Sequence, residues 1–169
     1  MAEPRGATAD LTPVYLAVGR GITSFAGVEH ALADLFSVMM APAPTDRALA
    51  AMQSIRSFDG KFGAVDAVAD AALSGPLRDQ WVALRGDIKQ LQAVRNKLAH
   101  WMVMYRPDGG SPALTSPVAG DKWYSAEWDA DGVENNKPID LPDIARQTDA
   151  MVTMIERLEH FAVAVRKQG

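Results

Sequence analysis

The run Arg95-Asn96-Lys97-Leu98-Ala99-His100 carries a guanidinium, an amide and an imidazole within a single short stretch. A guanidinium presents a rigid fork of donors that suits a phosphate. An imidazole changes its protonation near neutral pH, and an amide bonded to one ring nitrogen fixes which nitrogen carries the proton. On a helix, Asn96 and His100 are four apart and share a face. Arg95 and His100 are five apart, about 140° around the axis, so they flank a groove edge rather than stack. These are the parts for metal-free cleavage of RNA, in which a 2′-hydroxyl attacks the neighbouring phosphate. Lys97 and Arg106 are the other cations close to the run and are read as RNA-binding, with Lys122 expected to fold back near it. A structural role competes with this chemistry: Asn96 and His100 also suit a bridge between helices or across a dimer interface.

The elements that must position these groups are helical. Thr12-Pro13 is a helix start, with Thr12 as N-cap and Pro13 at the first helical position. Ile22, Phe25, Glu29, Leu32, Phe36 and Met39 then follow at alternating spacings of three and four, the stripe of a core-facing helix. Ala41-Pro42-Ala43-Pro44 ends it, because proline cannot continue a helix. Met52, Ile55, Phe62, Val65, Ala69 and Ala72 predict a second helix, bent at Gly60 and Gly63 and closed by Ser74-Gly75-Pro76. The stripe of Trp81, Leu84, Ile88, Leu91, Arg95, Leu98 and Met102 predicts a third helix that carries the motif near its end. Asp140, with Asp143 placed to complete a cap, starts a fourth, whose stripe is Ile144, Met151, Ile155, Leu158, Ala162 and Val165.

The expected helices run over 13–40, 46–73, 77–104 and 141–166. Long helices joined by short breaks favour an all-α, antiparallel up-down four-helix bundle in a single domain over 1–169. Residues 105–139 are rich in glycine and proline and form an irregular loop before the last helix. Within it, Lys122 to Trp128 reads as a short strand that pairs with Ala113-Leu114-Thr115 in a β-hairpin. Trp123, Tyr124 and Trp128 are expected to pin this loop onto the bundle, with base stacking as the competing role.

Two charges interrupt the apolar stripes, Arg95 and Glu29. A buried charge needs a partner, so Glu29 and Arg95 are read as pairing with each other, or with the oppositely charged group among Arg56, Asp59 and Asp66 on the second helix, with Glu29 a structural charge partner. Glu29, His30, Asp34, Glu156, Glu159 and His160 lack the Glu-x-x-His spacing of bundle di-metal sites, and neither a metal nor a cofactor is expected.

Composition narrows the partners. The chain has 169 residues, 17 Lys and Arg against 21 Asp and Glu, and a net charge of −4. Tight non-specific nucleic-acid binders are usually basic, so any RNA contact here is local, weak and salt-sensitive. With no cysteine there is no disulfide and no thiolate chemistry. No apolar run is long enough for a membrane span and the first residues do not read as a secretory signal, which predicts no membrane partner and a cytoplasmic protein.

Arg95-Asn96-Lys97-Leu98-Ala99-His100 resembles the R-x4–6-H motif of HEPN domains, including the polar residue favoured just after the arginine. The motif lies near the end of the third long helix, as in that family, and the resemblance covers nearly the whole chain. It implies a homodimer in which two motifs meet in one composite site. It also implies a metal-independent endoribonuclease of toxin–antitoxin, phage-defence or RNA-processing type, with an antitoxin-like protein as a further partner. His100 would then be the acid/base, Arg95 would stabilise the phosphorane and Asn96 would orient the pair. Two alternatives stay open: a catalytically inactive HEPN-like dimeric binding module, and a helical sensor of a small molecule or metal.

Overall fold

In a computed structural model, residues 10–105, 111–117 and 138–167 are described. The first helix, α1 (Thr12–Met39), begins where Asp10 Oδ1 accepts the Thr12 N–H at 2.9 Å. Asp10 therefore supplies the capping side chain expected of Thr12, and hydrogen bonds from the Thr12 hydroxyl first and then from its N–H draw the Asp10 carboxyl below the usual range. The proline-rich break follows, then α2 (Thr45–Ser54) and α3 (Phe58–Ala72).

The expected helix over 46–73 is thus two helices, and the glycines do not mark the interruption. Ile55 turns extended, and Ser57 caps α3 by accepting the Gly60 N–H at 3.1 Å. A serine three residues ahead of an unbonded helical N–H offers a competing start, and here that local bond prevails. The next helix, α4 (Gly75–His100), starts at a glycine with φ of +52°, the left-handed region that side-chain-bearing residues rarely adopt.

A second difference lies at the far end of α4. The expected helix continued to 104, but α4 stops at His100, and Met102–Met104 form a strand, β1. It pairs antiparallel with β2 (Ala113–Thr115) in the register Met102 to Thr115, Val103 to Leu114 and Met104 to Ala113. Leu114 and Ile139 then exchange two backbone bonds of 2.9 Å. Ala113–Thr115 is a strand as expected, but with Met102–Met104 as its partner. The expected strand from Lys122 to Trp128 lies outside the described residues. The last helix, α5 (Leu141–Arg166), opens with Asp140 Oδ1 accepting the Asp143 N–H at 2.8 Å, the cap anticipated there.

The described residues are thus mostly helical, with five helices and one two-stranded sheet. Among them no helix is long and apolar enough to cross a membrane. The chain divides into two compact units, and the division cuts α1, α4 and α5 along their lengths.

One unit comprises the described parts of Met1–Ile22 and Val94–Thr148. Val14, Leu98, Leu114 and Ile144 are buried in it. Here α1 comes so close to α4 and α5 that a Cβ on Gly21 would lie 2.5 Å from Leu98 Cδ1 and 3.3 Å from Thr148 Oγ1. Any side chain at this position would have to push the Leu98 methyl and the Thr148 hydroxyl aside.

The other unit comprises Thr23–Ala93 with the described part of Asp149–Gly169. A chain of rings runs through it: Phe25 to Phe58 at 5.0 Å, Phe58 to Phe62 at 5.7 Å, Phe62 to Trp81 at 6.1 Å and Trp81 to Phe161 at 6.3 Å. Such pairs add about 0.5–1.5 kcal/mol each beyond the area they bury. Trp81 is fully buried, and its indole N–H is satisfied by Asp66 Oδ1 at 2.8 Å, which Arg85 also holds.

Candidate functional site

The motif occupies the last turns of α4, and one apolar residue sets its rotation. Leu98 is 2% exposed and turns inward. At 100° per residue, Asn96 and His100 then each point about 160° away from Leu98, on either side of the outward direction. Both are exposed. Arg95 lies about 60° from Leu98 on one flank, while Lys97 and Trp101 lie about 100° and 60° from it on the other. All three are half-buried, as those angles require.

Contacts follow the same geometry. Arg95 Nη1 donates to Asn96 Oδ1 at 3.3 Å. Among the described residues no hydrogen bond links Asn96 to His100, so within one chain the amide holds the guanidinium rather than the imidazole. Lys97 Nζ lies over the Trp101 ring, 5.0 Å from its centroid. Trp101 still belongs to the helical ladder, since its N–H donates to Lys97 O at 2.9 Å. One chain therefore presents two flanks, an Arg95–Asn96 pair and a Lys97–Trp101 pair, with the His100 imidazole outward between them. Seen from His100, Lys97 is about 60° away around the axis and Arg95 about 140°.

The remaining expected site residues fall elsewhere. Glu29 pairs with Lys61, Nζ to Oε2 at 3.1 Å, on α3. Lys61 was not among the partners expected from the sequence. Of those that were, Asp66 serves Trp81 and Arg85, and Asp59 serves Lys89 and Gln92 at 3.0 Å each. Gln92 first, and then Lys89, hold the Asp59 carboxyl below its ordinary range. Arg106, Lys122, Trp123, Tyr124 and Trp128 lie outside the described residues.

Trp101 is the residue that sequence reasoning passed over. Its signal was present as the i, i+4 spacing from Lys97, which puts a cation and an indole on one helix flank.

Away from the motif, a shallow groove of about 330 Å³ is lined by Gln80, Leu84, Arg157, His160 and Phe161. Its guanidinium is already paired, Arg157 Nη2 to Asp87 Oδ2 at 2.8 Å. Among the described residues no three His, Asp or Glu side chains gather in a way that could hold a metal ion. In comparison with known proteins, the chain matches no family model, no curated protein and no solved structure.

Proposed function

We propose that this chain is a HEPN-like, metal-independent endoribonuclease whose working site is completed by a second copy of itself. One observation carries the reading: the His100 imidazole is exposed at the end of α4, with the half-buried Arg95 guanidinium braced by Asn96 on the adjoining flank. A phosphodiester can reach both groups from solvent. Because about 140° of helix separates them, one chain alone does not close both on the same phosphate. Two motifs facing each other would bring the guanidinium of one to the imidazole of the other.

In that arrangement one imidazole removes the 2′-hydroxyl proton as the 2′-oxygen bonds to phosphorus. The bond from phosphorus to the 5′-oxygen breaks, and a protonated imidazole supplies the proton that the leaving oxygen takes. Arg95 stabilises the charge gathered on the phosphorane oxygens. The products are a 2′,3′-cyclic phosphate and a 5′-hydroxyl. Atoms and protons balance without a metal.

The test is incubation of the purified chain with structured RNA in a chelator, beside Arg95→Ala and His100→Ala. Cleavage by the parent and its loss in both variants, each with an unchanged melting temperature, supports the enzyme. No cleavage across varied RNAs, or equal cleavage by the variants, removes it. A second reading, a catalytically silent dimeric binding module, is favoured by one observation: Asn96 Oδ1 holds Arg95 rather than the His100 imidazole. The same experiment separates the two.

A further inference from the structure

The Lys97–Trp101 flank is unused by the chemistry just described, yet it is the flank closer to His100 around the helix. Trp101 directly follows His100, is half-buried with part of its surface open to solvent, and has the Lys97 ammonium 5.0 Å from its ring centroid. Two further non-polar groups are exposed beside it in sequence, Met102 at 51% and Tyr105 at 44%. An indole is a flat surface on which any nucleobase can stack, because every base has a π-face. The ammonium lies over one face of the indole, so a base stacking there displaces it from the ring toward the phosphate that the base carries.

We propose that Trp101 is the platform on which an unpaired base of the RNA stacks beside His100, with Lys97 holding the adjoining phosphate. This rests on the ribonuclease reading above and adds to it a base-binding residue. A base inside a duplex is already stacked on both faces and cannot lie on an indole, whereas loops and single strands splay their bases out. The charge balance agrees. A net charge of −4 disfavours the many phosphate contacts that tracking a duplex requires, and an aromatic platform supplies affinity independent of charge. The competing role for the pair is structural, a cation–π contact that only steadies the end of α4 before β1.

The test uses the full chain carrying His100→Ala, which under the ribonuclease reading is expected to bind RNA without cutting it, and an eight-nucleotide single-stranded RNA beside a blunt RNA duplex. Fluorescence anisotropy is read for this protein and for versions that also carry Trp101→Leu, Trp101→Phe or Lys97→Met. The expected result is preference for the single strand, roughly tenfold weaker binding with Trp101→Leu and near-parental binding with Trp101→Phe. Trp101→Leu leaves the salt dependence unchanged, whereas Lys97→Met makes the slope of log K against log salt shallower by about 0.7. Should Trp101→Leu disturb folding, 5-fluorotryptophan labelling replaces it. The Trp101 resonance, assigned through Trp101→Phe, is expected to shift when the single strand is added.

Equal binding by parent and Trp101→Leu, a silent Trp101 resonance, or preference for the duplex overturns the platform while leaving the ribonuclease reading intact. Absence of RNA binding by His100→Ala, together with absence of cleavage by the parent, overturns both.

Discussion

Asn96 shows how a residue type can be identified from sequence while its partner is not. Its spacing from His100 suggested a bond to the imidazole, but the side chain turns to its neighbour Arg95. Helical periodicity gives the direction of a side chain and does not choose among the partners within reach. Glu29 repeats the lesson, since a charge in an apolar stripe announced the need for a partner and left Lys61 unnamed. Asp59 gives a pH test at this scale. Its carboxyl is depressed in the folded chain by Gln92 and then Lys89. A folded-state value below the unfolded one, about 3.9, makes the charged form stabilising. That contribution is present at neutral pH and is lost as pH falls through the depressed value. Asp59→Ala is therefore expected to melt below the parent at pH 7, with the gap closing as the solution is acidified below about pH 4. A gap that persists or widens in acid contradicts the assignment.

Apolar spacing located α1, α4 and α5, because long helices repeat their signal many times. It failed at both places where a helix ends without a glycine or proline to mark the end. Ile55 kept the apolar rhythm across the gap between α2 and α3, and Met102 to Met104 kept it beyond His100. A three-residue strand and a helix turn cannot be separated by periodicity alone, and what decides is pairing with Ala113–Thr115, distant in sequence. Gly21 carries the test for elements. A Cβ there would lie 2.5 Å from Leu98 Cδ1, which can swing, and 3.3 Å from Thr148 Oγ1, which is held by its bond to Ile144 O at 2.9 Å. Gly21→Ala is expected to destabilise the chain by about 1–3 kcal/mol in urea unfolding, as overpacking does. Adding Leu98→Ala should recover part of that loss in a double-mutant cycle. Strict additivity of the two changes would mean that the contact with Leu98 does not govern the site.

For the whole molecule, the proposed composite site requires a dimer, and this has a kinetic consequence. If a second copy completes the site, the cleavage rate per chain rises with protein concentration until dimers saturate. Sedimentation should show twice the mass of one chain over the same concentration range. A rate per chain that stays constant while the mass remains that of one chain would rule out the composite site. Charge acts at this scale as well: with acidic residues in excess, RNA binding is expected to rest on few phosphate contacts, and the logarithm of affinity should fall with the logarithm of salt by only about 0.7 for each phosphate neutralised. The acidic balance was readable from composition, whereas a dimer leaves no mark in composition or spacing.

The most direct measurement is end-group analysis of RNA cut by the purified chain in the presence of a chelator, with an otherwise identical RNA that has a 2′-deoxy sugar at the cleavage position as control. Attack by the neighbouring hydroxyl predicts fragments ending in 2′,3′-cyclic phosphate, partners beginning with 5′-hydroxyl, and no cut at the deoxy position. Fragments with 5′-phosphate ends, scission at the deoxy position, or products that persist with His100→Ala would contradict the account.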